Sequence, residues 1–149
     1  MDINHKRIKM KKYIVLIVIA GVISAAVVCT KKKPVADEVS SFYNEMITTT
    51  NTYADKLETV KDSAEASKIV SEYVDSQKKL IEKGRDIQKK YPELDLHSDP
   101  ALQEYEKSLE NATKHFTISI TSAIKKYMSV KEFKEALTRL KEIEQETEK

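Results

Sequence analysis

From Val39 to Ile143 the apolar residues recur at intervals of three and four, and no other feature of this 149-residue chain restricts its fold so strongly. That spacing gathers them on one side of a 3.6-residue helix, and a helix with a single apolar face has to bury it on a neighbour. The first stripe is Val39, Phe42, Met46, Thr50, Tyr53, Leu57 and Val60. The second is Ala66, Ile69, Tyr73, Gln77, Leu80, Gly84, Ile87 and Tyr91. Leu102, Tyr105, Leu109, Ala112, Phe116, Ile120, Ile124 and Tyr127 make the third, and Val130, Phe133, Leu137, Leu140 and Ile143 the fourth. Four such stripes predict an all-α fold, an antiparallel four-helix bundle over residues 34–149. The stretch 115–121 also alternates with period two and is rich in β-branched residues, but the longer helical period runs through it on both sides.

Local signals punctuate the stripes. Asp62 precedes Glu65 by three residues, so its carboxylate can accept from a free first-turn amide while the Glu reaches back. Pro92 cannot continue a helix, and residues 92–99 read as the one true loop. Asp99 then caps a helix that opens on Pro100, where the missing N–H costs nothing. Ser129 and Glu132 form a second capping box, with Met128 and Phe133 placed as a hydrophobic staple. Neither Lys61-Asp62 nor Met128-Ser129 contains Gly or Pro, so the alternative architecture is a long coiled-coil hairpin in which each joint is one bent helix.

Composition removes several functions. The two glycines, Gly21 and Gly84, stand in unrelated contexts and cannot supply a phosphate-cradling loop. One Cys excludes an internal disulfide and a thiolate-rich zinc site. The formal charge of +2 conceals an asymmetry: residues 1–34 hold eight Lys/Arg against Asp2, or +7, whereas residues 35–149 hold eighteen against twenty-three acids, or −5. The basic excess lies outside the folded part, which makes nucleic acid a poor partner.

That basic excess flanks a membrane-type segment. Residues 1–12 carry five Lys/Arg, Tyr13–Val28 carry no charge, and the chain's only cysteine, Cys29, follows directly, ahead of Lys31–Lys33. With Cys29 the apolar run would span roughly 25 Å as a helix, just short of the ~30 Å hydrocarbon core. A basic region, an apolar region and a Cys at its boundary resemble a bacterial lipoprotein signal, whose lipobox ends in the Cys that is lipidated and becomes the new N-terminus. Here the box reads Ala26-Val27-Val28-Cys29, with Ala26 where Leu is usual and Val28 where Ala, Gly or Ser is usual. The resemblance implies a lipid-anchored envelope protein with Cys29 as its lipidation site and residues 1–33 as signal or anchor. Two other readings of the same segment stand beside it: an uncleaved single-pass anchor, and an ordinary signal peptide cut after Ser24-Ala25-Ala26. In all three, residues 34–149 lie outside the cytoplasm.

Chemistry-bearing residues are few. Asp95, His97 and Asp99 offer ligands at alternate loop positions, a spacing that fixes no coordination geometry. Met46 and His115 invite comparison with the soluble four-helix cytochromes of the b type, a resemblance of length and helix order; that family takes its histidine from the last helix, and no His follows His115. Asn111-Ala112-Thr113 fits the glycosylation pattern but falls inside a helix. Asp75 with Lys79 and Glu82 with Asp86 read as ordinary solvent-face neighbours. Ile81 and Ile118 lie off the stripes, placed to widen the core or to face a partner. No catalytic, metal or cofactor residue is nominated. The expectation is a small non-enzymatic envelope protein, held at the membrane by lipid or anchor helix, that binds another protein or itself; the alternative is a single-pass module of a larger complex.

The position of Cys29 makes the anchoring testable. Cys29→Ala removes the thiol that accepts lipid and should leave an unprocessed, larger precursor on a gel. Unchanged mobility together with unchanged membrane retention would favour the uncleaved anchor.

Overall fold

The computed structural model describes residues 32–92 and 100–147, and within them the chain forms four helices packed together. They are α1 (Lys32–Thr59), α2 (Ser63–Lys90), α3 (Pro100–Tyr127) and α4 (Lys131–Thr147). Pro34 falls in the first turn of α1, where backbone amides lack helical acceptors in any case. The stretch 115–121 is helical within α3, so its β-branched residues yield to the longer period.

Both short joints are breaks. Val60–Asp62 and Met128–Val130 leave the helical path, so the long coiled-coil hairpin, which needs continuity there, is not the arrangement. Asp62 caps α2 from extended backbone (φ −143°, ψ 174°), its carboxylate accepting from the Glu65 amide at 2.8 Å. Glu65 answers by accepting from the Lys61 amide at 3.0 Å, one residue ahead of the amide that the capping box ordinarily uses. The second joint departs from expectation by one residue. The Val130 amide donates to the Tyr127 carbonyl at 2.9 Å, and the Val130 carbonyl accepts the first bond of α4 from Lys134 at 3.1 Å, so Val130 rather than Ser129 holds the cap position. Phe133 correspondingly meets Tyr127 edge-on, with centroids 6.0 Å apart, while Met128, the expected staple partner, is 47% exposed.

Side-chain pairs define how the helices lie. On α1 and α2 the numbers run in opposite senses: Glu38 with Lys90, Glu45 with Lys83, Tyr53 with Ser76, Lys56 with Glu72. Between α1 and α3 they rise together, Tyr43 beside Tyr105 and Glu58 beside His115. Helix α3 lies mainly on α1 and α4 mainly on α2, where Arg139 donates to Asp75 at 2.8 Å. Asp75 thus serves α4 and not the Lys79 one turn along its own helix.

The core divides into two clusters along the helix axes. One contains residues of all four helices, from Leu57, Ile69 and Phe116 to Phe133 and Ile143. The other is built from α1, α2 and α3 around Phe42, Met46, Leu80 and Leu109. Helix α4 has 17 residues against 28 for each of the others and is about 16 Å too short to cover that second half. Tyr73 is the joint between three helices: its ring stacks on Phe116 of α3 at 4.1 Å and meets Tyr53 of α1 at 5.4 Å. Such ring pairs contribute about 0.5–1.5 kcal/mol beyond the area they bury.

The buried faces are wider than the stripes. Tyr43, Ala54, Val70, Val74, Ser119, Ala123 and Ala136 are buried as well, whereas Tyr91, Tyr105, Ile124, Tyr127 and Val130 are only partly covered. Ile81 packs against the four-helix cluster and widens it, while Ile118 stands 68% exposed.

Tyr73→Ala should therefore destabilise the protein by about 3–5 kcal/mol, as for other large aromatic truncations in cores, whereas Ile118→Ala should stay within about 0.5 kcal/mol. Urea melts followed by circular dichroism measure both. A Tyr73→Ala protein that melts with its parent would contradict the joint assigned to this ring.

Candidate functional site

The outer seam between α1 and α3 carries a groove at one end and a polar cluster at the other. Along α1 the residues 40, 44, 47, 51, 55 and 58 step by three and four on one face, and along α3 the residues 104, 108, 111 and 115 do the same. At one end the two faces part into a shallow groove lined by Ser40, Asn44, Ile47, Glu104, Tyr105 and Ser108. Below it the rings of Tyr43 and Tyr105 lie 5.9 Å apart. Burial, and next the negative charge of Glu106, push the Tyr43 phenol up to about 12.

Asp55, Glu58 and His115 meet at the other end, each offering a ligand atom within 4.8 Å of the rest. His115 Nε2 lies 2.9 Å from Glu58 Oε1 and 3.8 Å from Asp55 Oδ1. The buried Ser119 hydroxyl faces two acceptors, Glu58 Oε1 at 3.2 Å and the His115 carbonyl at 3.1 Å. Serine, carboxylate and imidazole are thus in contact, but in the wrong order for nucleophilic catalysis. A base must take the hydroxyl proton, with the carboxylate behind it; here the carboxylate stands between the other two. The arrangement can hold charge, and it can hold a cation.

The opposite side of α1 faces α2 through ion pairs. Glu38 accepts from Lys90 Nζ at 2.6 Å and from the Tyr91 hydroxyl at 2.7 Å, while Glu45 pairs with Lys83. The bonds from Lys90 and then Tyr91 hold the Glu38 carboxyl below its ordinary range, and the bond to Glu38 raises Lys90 in return. These contacts tie the end of α2 to the start of α1 and suit a structural role.

Residues singled out in the sequence fall in scattered places. Cys29 and the set Asp95, His97 and Asp99 lie outside the described residues. Met46 is buried in the three-helix cluster, twelve positions from Glu58 on the same helix, or about 18 Å. His115, bonded to Glu58, therefore cannot share one haem iron with Met46. Asn111 is exposed on α3. The trio at the seam escaped sequence reasoning because His115 is 57 and 60 positions from its two partners. Only the register of α3 on α1 joins them, and the sole local hint is the spacing of Asp55 and Glu58 on one helical face.

Comparison with protein-family models, with curated proteins and with solved structures finds no match to this chain.

Tyr43 carries a pH dependence. A phenol raised in the folded state favours folding fully below the ordinary tyrosine range near 10 and loses that contribution as pH rises toward 12. Stability should fall between about pH 10 and 12 in the wild type, and Tyr43→Phe should flatten part of that slope in alkaline urea melts. Identical slopes would show that the phenol is as free as in the unfolded chain.

Proposed function

We propose that this chain is a small, non-enzymatic, membrane-anchored envelope protein, lipidated at Cys29, whose residues 34–149 stand outside the cytoplasm as a four-helix bundle. The observation that carries the reading is the place of the only cysteine, at the end of an uncharged run behind five Lys/Arg and three residues ahead of the start of α1. So short a spacer would seat the bundle end-on at the membrane face, with the beginning of α1 and the end of α2 nearest the lipid. No described helix is long and apolar enough to cross a membrane, and the run that approaches that length, residues 13–28, lies outside the described residues.

In this reading the far end, about 40 Å away along α1, is what a partner protein or a second copy meets. Ile118 and Met128, large apolar side chains left exposed, both belong to that half. A folded part of formal charge −5 supports a protein partner over nucleic acid. A second reading rests on Ala26 and Val28, which depart from the usual lipobox: the apolar segment is retained as a single-pass anchor and the bundle serves as a module of a larger complex.

Intact-mass measurement on protein extracted from membranes separates the two. The lipoprotein reading expects a chain that begins at Cys29 and carries acyl mass. An unmodified chain that begins at Met1 would overturn it in favour of the anchor, and an unacylated chain that begins at Val27 would identify an exported, unanchored protein.

A further inference from the structure

We propose that Asp55, Glu58 and His115 bind one divalent transition-metal ion, of which zinc is the chemical type, and that the ion clasps α1 to α3. The donor set is one imidazole and two carboxylates, the mixture that a borderline cation takes and that magnesium or calcium, which prefer oxygen alone, does not. Ligand atoms around a tetrahedral zinc ion stand about 3.3 Å from one another. The observed separations of 2.9 Å and 3.8 Å from His115 Nε2 bracket that value, so small rotations of exposed side chains would close the site. Three protein ligands leave a fourth position for water.

Charge supplies a second, independent argument. Several exposed carboxylates have a basic partner of their own: Glu45 has Lys83, Glu72 has Lys56 and Lys68, Asp75 has Arg139, and Glu110 has Lys114. Among the described residues Asp55 and Glu58 have no Lys or Arg in ion-pair range and share one imidazole, which carries a charge only when protonated. Three positions apart on one helix, the two anions repel each other, and a dication between them would relieve what a single imidazolium cannot. The supports are in place around them. Both ligand-bearing elements are long helices, and the buried Ser119 hydroxyl contacts Glu58 Oε1, the kind of outer contact that orients a ligand carboxylate.

The test uses the full chain in detergent micelles, freed of metal by a chelator and titrated with zinc chloride in a calorimeter, with thermal melts followed by circular dichroism. One zinc ion per chain should bind and raise the melting temperature by several degrees. His115→Ala and Asp55→Asn should each weaken the affinity at least tenfold and abolish the shift, while His97→Ala should change neither. Asp55 is largely exposed, so Asp55→Asn decides the matter if His115→Ala fails to fold. No binding below millimolar zinc, binding that survives both Asp55→Asn and His115→Ala, or an equal response to magnesium would each overturn the proposal.

Discussion

The Tyr73 ring, stacked on Phe116 and angled against Tyr53, couples three helices at one level, and the placement of the other contacts follows from it. Turning Phe116 inward sets the rotation of α3. The preceding residue, His115, is then carried to the edge of the seam, and Ser119, one turn later, is buried beneath Glu58. On α1, Tyr53 reaches the same level, which places Asp55 and Glu58 within the next turn and a half. A polar trio drawn from distant parts of the sequence is thus a by-product of an aromatic contact.

The short fourth helix gives the bundle two unlike ends. Where α4 packs on α2, four helices share a core rich in small residues, Ala54, Ala66, Ala123 and Ala136, which let helices approach closely. Beyond the reach of α4, three helices close a second core with larger side chains, Phe42, Tyr43, Met46 and Leu80. The Glu38–Lys90–Tyr91 contacts seal that end on the outside. In the orientation proposed, this three-helix end faces the membrane, and the four-helix end with the seam trio, Ile118 and Met128 faces away.

Much of this was legible in the residue order, for identifiable reasons. Four apolar stripes, the Asp62–Glu65 cap and the Pro100 start are local signals, and each reappears in the helices and their bounds. The cap of α4 moved by one residue because the tight turn from Tyr127 to Val130 brings Val130, not Ser129, to the first helical carbonyl. Val70, Val74 and Tyr43 were outside the narrow stripes because a helix touching two neighbours buries more than one row of side chains. The seam trio was illegible for a different reason. Nothing local marks His115 as a neighbour of residues nearly sixty positions earlier, and that proximity exists only once α3 lies beside α1 with their numbers rising together.

That register is the central claim, and spin-label distances measure it directly. Labels on cysteines at Ser41 and Gln103, and separately at Ser41 and Lys126, in a Cys29→Ser background, would be read by double electron–electron resonance; all three labelled sites are exposed. With helix axes about 8–10 Å apart, the first pair should lie within about 20 Å including the labels. The second pair, separated by a further twenty-three residues along α3, should lie about 35 Å apart or more. A long first distance with a short second one would mean that α3 runs the other way along α1, and both the seam and the three-helix joint at Tyr73 would fall with it.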